Sequence, residues 1–404
     1  PGRNGPHKGR GRPPGRGDAV PAVSAFLRPP LRTPEPAVNV ERMTTYGLLV
    51  SPSHNRVYAQ AAASMVKAEL AVFSERALGG RVHDIEERDV GGVPYVTFSA
   101  DELTEQDIRL LSNLSSLYAL FQFEGDLLRP VALQPLDLFG SDLLTIQKYS
   151  GKTNEYFTKL LLNVTAMASD SPMDLVTGRP RVFDPMCGRG TTLNQAMMYG
   201  LDAAGMDIDG KDFDSYAAFI KTWLRNNRVK HKAEITNVRR EKAVIGRRLH
   251  VTLAPTKELY KSGETMEITV VHADALEAGR FFRPASFDLI VTDAPYGVQH
   301  GSRPKGGRPP GGQGGRGGRL SRSPVELLAA AVPEWARLLR PGGAIGISWN
   351  TFVGRREDLA EILASSGFQV HDSDAHRSFR HRVDQAISRD LITAQKPPAR
   401  KARA

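Results

Sequence analysis

The chain has 404 residues, 40% of them hydrophobic, and a formal net charge of +10. That is apolar material enough for two folded units, while no apolar run approaches the roughly 18 residues needed to cross a bilayer. A single cysteine, Cys187, excludes an internal disulfide and a multi-cysteine zinc site, and no metal is expected. The basic charge is concentrated in low-complexity stretches: +5 in residues 1–40, +6 in 298–322 and +4 in 396–404, leaving the remainder at −5. A high isoelectric point by itself is therefore weak evidence for a nucleic-acid groove. The amino terminus has charge but no apolar segment of the secretory kind, so a cytoplasmic protein without membrane contact is expected.

Residues 1–42, rich in Pro, Gly and Arg without periodicity, read as a disordered basic tail. The chain opens on proline, and Met43, just ahead of the first strand-like run, is the expected functional start. Residues 43–140 read as a smaller N-terminal α/β domain that recruits substrate. Within it, Thr45–Val50 predicts a strand, Tyr58–Phe73 a helix, and Val82–Ile85 and Tyr95–Phe98 two strands around Gly91-Gly92. Thr104–Leu120 predicts a helix opened by a capping box.

From residue 141 to 396 strands and helices alternate, the pattern of a mostly parallel sheet. Strands are predicted at Val182–Phe183, Ala203–Met206, Glu267–Val271, Phe287–Val291 and Ala344–Ser348, with a closing pair near Phe368–Val370 and Gln385–Ala394. Helices are predicted around Thr192–Tyr199, Phe213–Asn226, Val325–Leu339 and Arg356–Ser365. The expectation is an α/β, Rossmann-like sheet of seven strands with a Gly/Arg-rich disordered insertion at 298–322 and a basic tail at 397–404.

Three segments carry chemistry. The first is Asp184-Pro185-Met186-Cys187-Gly188-Arg189-Gly190-Thr191-Thr192, a buried strand that turns through glycines into a helix. Gly188 and Gly190 allow the backbone to approach a ligand closely. The turn lacks both the Gly-x-Gly-x-x-Gly pyrophosphate cradle and the Lys-Ser/Thr of a phosphate loop. An acid at its start suits a ligand with an amino group, such as the methionine ammonium of S-adenosylmethionine, and Asp184, Met186, Gly188, Gly190 and Thr191 are the candidate contacts. Cys187 sits inside this turn and reads as a packed, inert thiol. The second segment is Gly205-Met206-Asp207-Ile208-Asp209. Its acid lies about 20 residues past the glycines, placed to accept ribose hydroxyls, with Asp207 first and Asp209 second. Asp274, closing the next strand, is the candidate acceptor for the adenine amino group.

The third segment is Asp293-Ala294-Pro295-Tyr296-Gly297. An aromatic amine is a poor nucleophile because its lone pair is delocalised into the ring. Two acceptors, the Asp293 carboxyl and the Ala294 carbonyl, can bind its N–H groups and localise that lone pair. Pro295 stiffens the turn and removes a competing donor, and Tyr296 offers a face on which an extruded base can stack.

These segments together resemble the THUMP-linked tRNA guanosine-N2 methyltransferases, and more broadly the amino-methyltransferases with an Asp/Asn-Pro-Pro-Tyr signature. The likeness covers roughly residues 145–396, and Ala294 stands where the signature has its first proline. Gln147–Glu155 with Phe157 is similar to the cofactor-lid segment of such enzymes, which implies that Thr153 and Phe157 touch the cofactor. The resemblance implies S-adenosylmethionine as methyl donor and a nucleic-acid substrate, tRNA being favoured over DNA because the long target-recognition domain usual in DNA enzymes is missing. The expected reaction is methylation of an exocyclic base amine, guanine N2 in tRNA first. Alternatives are adenine N6 or cytosine N4 of DNA, a protein glutamine amide, and a silent cofactor- and RNA-binding subunit. The oligomeric state is not readable. Gly301–Gly318, with nine glycines, reads as a tolerated surface insertion more than an RNA clamp. The basic clusters Lys230–Arg248 and His376–Arg382 read as solvated faces.

Overall fold

The structure is a computed structural model that describes residues 43–52, 56–149, 151–296 and 323–399. The tail 1–42, the insertion 298–322 and residues 400–404 lie outside the described residues. Strand β1 (Thr44–Val50) is the middle of an antiparallel sheet with β2 (Val82–Val90), β3 (Val93–Ala100), β4 (Leu117–Glu124) and β5 (Leu127–Val131), ordered β2-β3-β1-β4-β5. Gly91 and Gly92 join β2 to β3 at φ 62° and 84°, the left-handed pair that a two-residue hairpin loop demands. The helix Arg56–Arg76 packs on this sheet through Val66, Leu70 and Phe73, which are fully buried and recur at helical spacing.

The helix expected over Thr104–Leu120 is shorter, Glu105–Leu111, and Leu117 opens β4. Its capping box pairs Thr104 with Asp107. Ser112 and Asn113 stop it: their side chains donate to the carbonyls of Ile108 (2.6 Å) and Arg109 (2.8 Å), which competes with continued helix.

The main sheet contains β6 (Val182–Asp184), β7 (Ala203–Asp207), β8 (Lys230–Arg240), β9 (Ala243–Ala254), β10 (Met266–His272), β11 (Phe287–Asp293), β12 (Leu339–Asn350), β13 (Gln369–Val370), β14 (His381–Arg382) and β15 (Ser388–Gln395). Their order is β13-β15-β12-β11-β6-β7-β10-β9-β8, with β14 on β15. The sheet therefore has ten strands where seven were expected. The difference is the β8–β9 hairpin, whose lysines and arginines hide its alternation, and the two-residue β14. Strands β12, β11, β6, β7 and β10 run parallel, and β15 returns antiparallel along β12. The central strands are covered on both faces, which is why Val182–Phe183 and Leu289–Val291 read as unbroken apolar runs.

The helix Glu155–Met167 precedes β6 and packs between the main sheet and Arg56–Arg76. One apolar cluster is continuous from Leu48 and Phe98 through Leu161 to Val182 and Val291. Within it Glu69, fully buried, accepts hydrogen bonds from the Ser115 backbone (2.9 Å), the Ser115 hydroxyl (2.6 Å) and Asn163 Nδ2 (2.7 Å). The other face of the main sheet has its own cluster around Phe287, Trp335 and Trp349. Among the described residues no helix is long and apolar enough to cross a membrane.

Candidate active site

Parallel strands place their carboxyl ends along one edge, where open α/β sheets bind ligands. β6 ends at Asp184, β7 at Asp207, β10 at His272 and β11 at Asp293, so three carboxyls from separate stretches of sequence share that edge.

On the β6–β7 side the backbone turns through Gly188 and Gly190 at φ 51° and 79°. A Cβ on Gly190 would strike the Tyr216 ring at 2.2 Å, whereas one on Gly188 would meet nothing within 4 Å. Gly190 is thus required by packing, and Gly188 leaves an open approach to backbone. Gly188 N–H donates to Asp207 Oδ2 (2.7 Å) and Asp209 N–H to Asp207 Oδ1 (2.8 Å), which aims the Asp207 carboxyl across the turn. Burial raises its pKa. Asp209 instead caps the helix Gly210–Asn226 by accepting from Lys211 N–H (2.7 Å), and Asp274 caps its own short helix by accepting from Leu276 N–H (3.0 Å). Asp184 accepts from Met186 N–H (3.1 Å) and the Thr292 hydroxyl (2.9 Å); burial pushes its carboxyl up to about 7. Thr191 shares a 3.2 Å hydrogen bond with the Tyr149 hydroxyl. The Cys187 thiol is buried, pushed well up by that burial, and packs where a Cβ on Gly205 would sit.

On the β11 side Asp293 is braced from four directions. Thr153 Oγ1 donates to Oδ2 (2.6 Å), Ser348 Oγ to Oδ1 (2.7 Å), and the Tyr296 hydroxyl also donates to Oδ2. Arg389 Nη2 stands 3.6 Å from Oδ2 and donates to the Tyr296 hydroxyl. Burial, and next the Asp293 carboxyl, push the Tyr296 phenol up, so it remains a donor. The Ala294 N–H donates to Ser348 O (2.8 Å), while among the described residues the Ala294 carbonyl accepts no hydrogen bond. A carboxylate has about four acceptor positions; three hydroxyls leave Asp293 one.

Arg389, Ser348 and the sequestered His381 are site residues that the strand pattern conceals. The Arg389 guanidinium lies over both Phe157 (4.5 Å) and Tyr296 (5.1 Å), within cation–π range. Phe157 is fully buried beneath it, so of the two lid residues Thr153 meets Asp293 and Phe157 supports Arg389. His381, packed against Phe157 at 5.2 Å, is pushed down to about 4 by burial. The signal for Arg389 is the adjacent charges, Arg389-Asp390, leading directly into the apolar pair Leu391-Ile392 of a strand buried over all but its last residue.

Residues 175–308 match the model of the UPF0020 family, the RMKL-like methyltransferase domain. Two methyltransferases described as uncharacterized, Rv3342 of Mycobacterium tuberculosis and Mb3374 of Mycobacterium bovis, are each 47% identical to this chain over 47 residues, 11% of it and 19% of theirs. The chain thus spans about a fifth of the length of the curated relatives it matches. Among solved structures, TrmN from Thermus thermophilus is 15% identical, covering 76% of this chain and 57% of that one at a TM-score of 0.34. An rRNA methylase from Streptococcus thermophilus is 10% identical, covering 62% and 99% at 0.30. At TM-scores under 0.5 these likenesses carry no argument.

The stretch that holds the glycine turn and the end of β11 is of the methyltransferase-domain kind, and S-adenosylmethionine is its cofactor. The β6–β7 edge fits that molecule on chemical grounds. The Asp207 carboxyl is acceptor chemistry for a ribose diol, the open backbone at Gly188 admits close approach, and Asp184 is an acid for an ammonium. When bound, the cofactor supplies an electrophilic methyl group on a sulfonium.

Proposed function

We propose that the chain methylates an exocyclic amino group of a nucleic-acid base, with guanine N2 of tRNA as the first candidate and adenine N6 or cytosine N4 of DNA as the alternative. The observation that carries this reading is the braced Asp293 carboxyl at the sheet's carboxyl edge, followed in sequence by an Ala294 carbonyl that accepts no hydrogen bond among the described residues. Two acceptors side by side bind the two N–H groups of one amine. By withdrawing those hydrogens from the ring plane they leave the nitrogen lone pair directed at an incoming methyl group. Holding the acceptors rigid before substrate arrives is the form of help that costs no reorganisation during reaction. The Tyr296 ring, against which Arg389 lies, offers a stacking face for an extruded base. Asp207 holds the ribose and Asp184 the ammonium of the cofactor, with Gly188 and Gly190 shaping the turn between them. The proton leaves after transfer, from a nitrogen made strongly acidic, so no general base is needed beforehand.

The test is methyl transfer from labelled S-adenosylmethionine to total tRNA, rRNA, genomic DNA and protein, with products digested to nucleosides or amino acids. Label is expected as N2-methylguanosine in tRNA. Asp293→Ala is expected to lower turnover at least about 10²-fold with cofactor affinity within about twofold. Near-normal turnover of that variant would sink the assignment of the acceptor. Label confined to DNA would keep the chemistry and overturn the substrate.

A further inference from the structure

The β8–β9 hairpin forms one edge of the main sheet and outruns the strand it covers. His272, the last residue of β10, pairs with Arg247, and Asp207 is level with His272 on the other side. The segment Val238–Gly246 therefore extends past the edge on which Asp207 and Asp293 stand. Arg239, Arg240 and Lys242 are on that overhang, all exposed. Among the described residues none of the three has an ion-pair partner, nor has Lys230 at the far end of the hairpin, whereas three basic residues between them are engaged. Lys232 pairs with Glu234, Arg247 with Asp214, and Arg248 donates to the Phe281 carbonyl.

The tip turns at Glu241 and Lys242, with φ 51° and 68°. Such a loop suits Asn-Gly or Gly-Gly, and the left-handed conformation is unfavourable for an ordinary L-residue. The exposed tip Arg239-Arg240-Glu241-Lys242 keeps three basic residues against one acid at this strained turn. Lateral distance adds the decisive constraint. β9 is four strands from β11, which at about 4.8 Å per strand is about 19 Å. A free nucleoside seated at Asp293 cannot reach the tip, but an extended polyanion can.

We propose that the β8–β9 tip is a docking finger for RNA, in which Arg239, Arg240 and Lys242 contact backbone phosphates remote from the reacting base. This rests on the RNA-methylating reading above and adds to it the surface that holds the rest of the substrate. Phosphate contacts set register and orientation without reading sequence. Lysines placed only to discourage edge-to-edge pairing are spread along a strand, as Lys230 and Lys232 are; concentration on the overhang serves a ligand at the carboxyl edge.

The experiment compares the full chain with its Arg239→Ala/Arg240→Ala/Lys242→Ala variant and with Arg239→Lys/Arg240→Lys. Filter binding of total tRNA is measured across a salt series, and methyl transfer on total tRNA and on an oligonucleotide of about six nucleotides. Cofactor titration reports an intact fold. The alanine variant is expected to raise the KM for tRNA about tenfold or more and to reduce the slope of log affinity on log salt by about two. Its kinetics on the short oligonucleotide should be unchanged, and the lysine variant should keep the wild-type slope. If wild type methylates tRNA and the alanine variant matches it in KM and slope, the finger is overturned while the reaction stands. Equal losses on short and long substrates overturn it too, by placing the effect at the reacting base. Wild-type protein that neither binds nor methylates RNA overturns both.

Discussion

Asp293 and Asp184 are both carboxyls at strand ends, and their surroundings give them different tasks. Asp293 is surrounded by donors and supported from behind by Arg389. The support is planar: the guanidinium covers Phe157 and Tyr296 at once, which the compact ammonium of lysine cannot do. Arg389→Ala and Arg389→Lys are both expected to lower single-turnover methyl transfer by about tenfold or more, with cofactor affinity unchanged. Full rescue by lysine would show that charge alone matters. Asp184 is shaped by burial, which raises its carboxyl to about 7. On the proposal that Asp184 holds the cofactor's ammonium, only the deprotonated form attracts it, so that form predominates above about 7 and is lost as pH falls through that value. The dissociation constant of S-adenosylmethionine is expected to climb toward about tenfold per pH unit on the acid side, and calorimetry on Asp184→Asn should show this dependence removed. The acids themselves were legible in the sequence because each follows an apolar run. Thr153, Ser348 and Arg389 were not recognised as neighbours of Asp293, since residues that meet across 140, 55 and 96 positions leave no local periodicity.

At the scale of elements, strands covered on both faces and the helices between them were readable because apolar runs and caps sit next to each other in sequence. The β8–β9 hairpin was not. On β8 the residues are mostly exposed on both faces, so the chain lacks the alternation by which a half-buried strand declares itself, and its turn carries Glu-Lys in place of a glycine signal. Ser112 and Asn113 misled in the opposite direction. An apolar stripe continued past them, but their side chains captured the backbone carbonyls that another helical turn would need. The same hydrogen-bonding groups that cap a helix at its start can end it.

For the whole molecule, the two sheets share a continuous apolar cluster, and Glu69 is a buried acid bonded across the join, with Ser115 on one side and Asn163 on the other. Glu69→Ala leaves several buried donors without an acceptor, a loss of about 3–5 kcal/mol. A melting temperature lowered by a few degrees is expected, read by calorimetry; an unchanged melt would mean the donors find other partners. The presence of two layers was visible in the change of pattern near residue 141, but their joint core was not, because the apolar residues that form it are divided between distant segments.

The helix Glu155–Met167 is fastened at both ends. Thr153, just ahead of it, holds the Asp293 carboxyl, and Asn163, near its far end, holds Glu69. A rod of 13 residues spans about 20 Å, so the brace on Asp293 is secured inside the first layer. Recombination that exchanged residues 43–140 for another module would cut that mooring, and Asp293 would keep its Thr153 hydrogen bond on a helix no longer tied to Glu69. The two layers are expected to descend together, as one unit of inheritance.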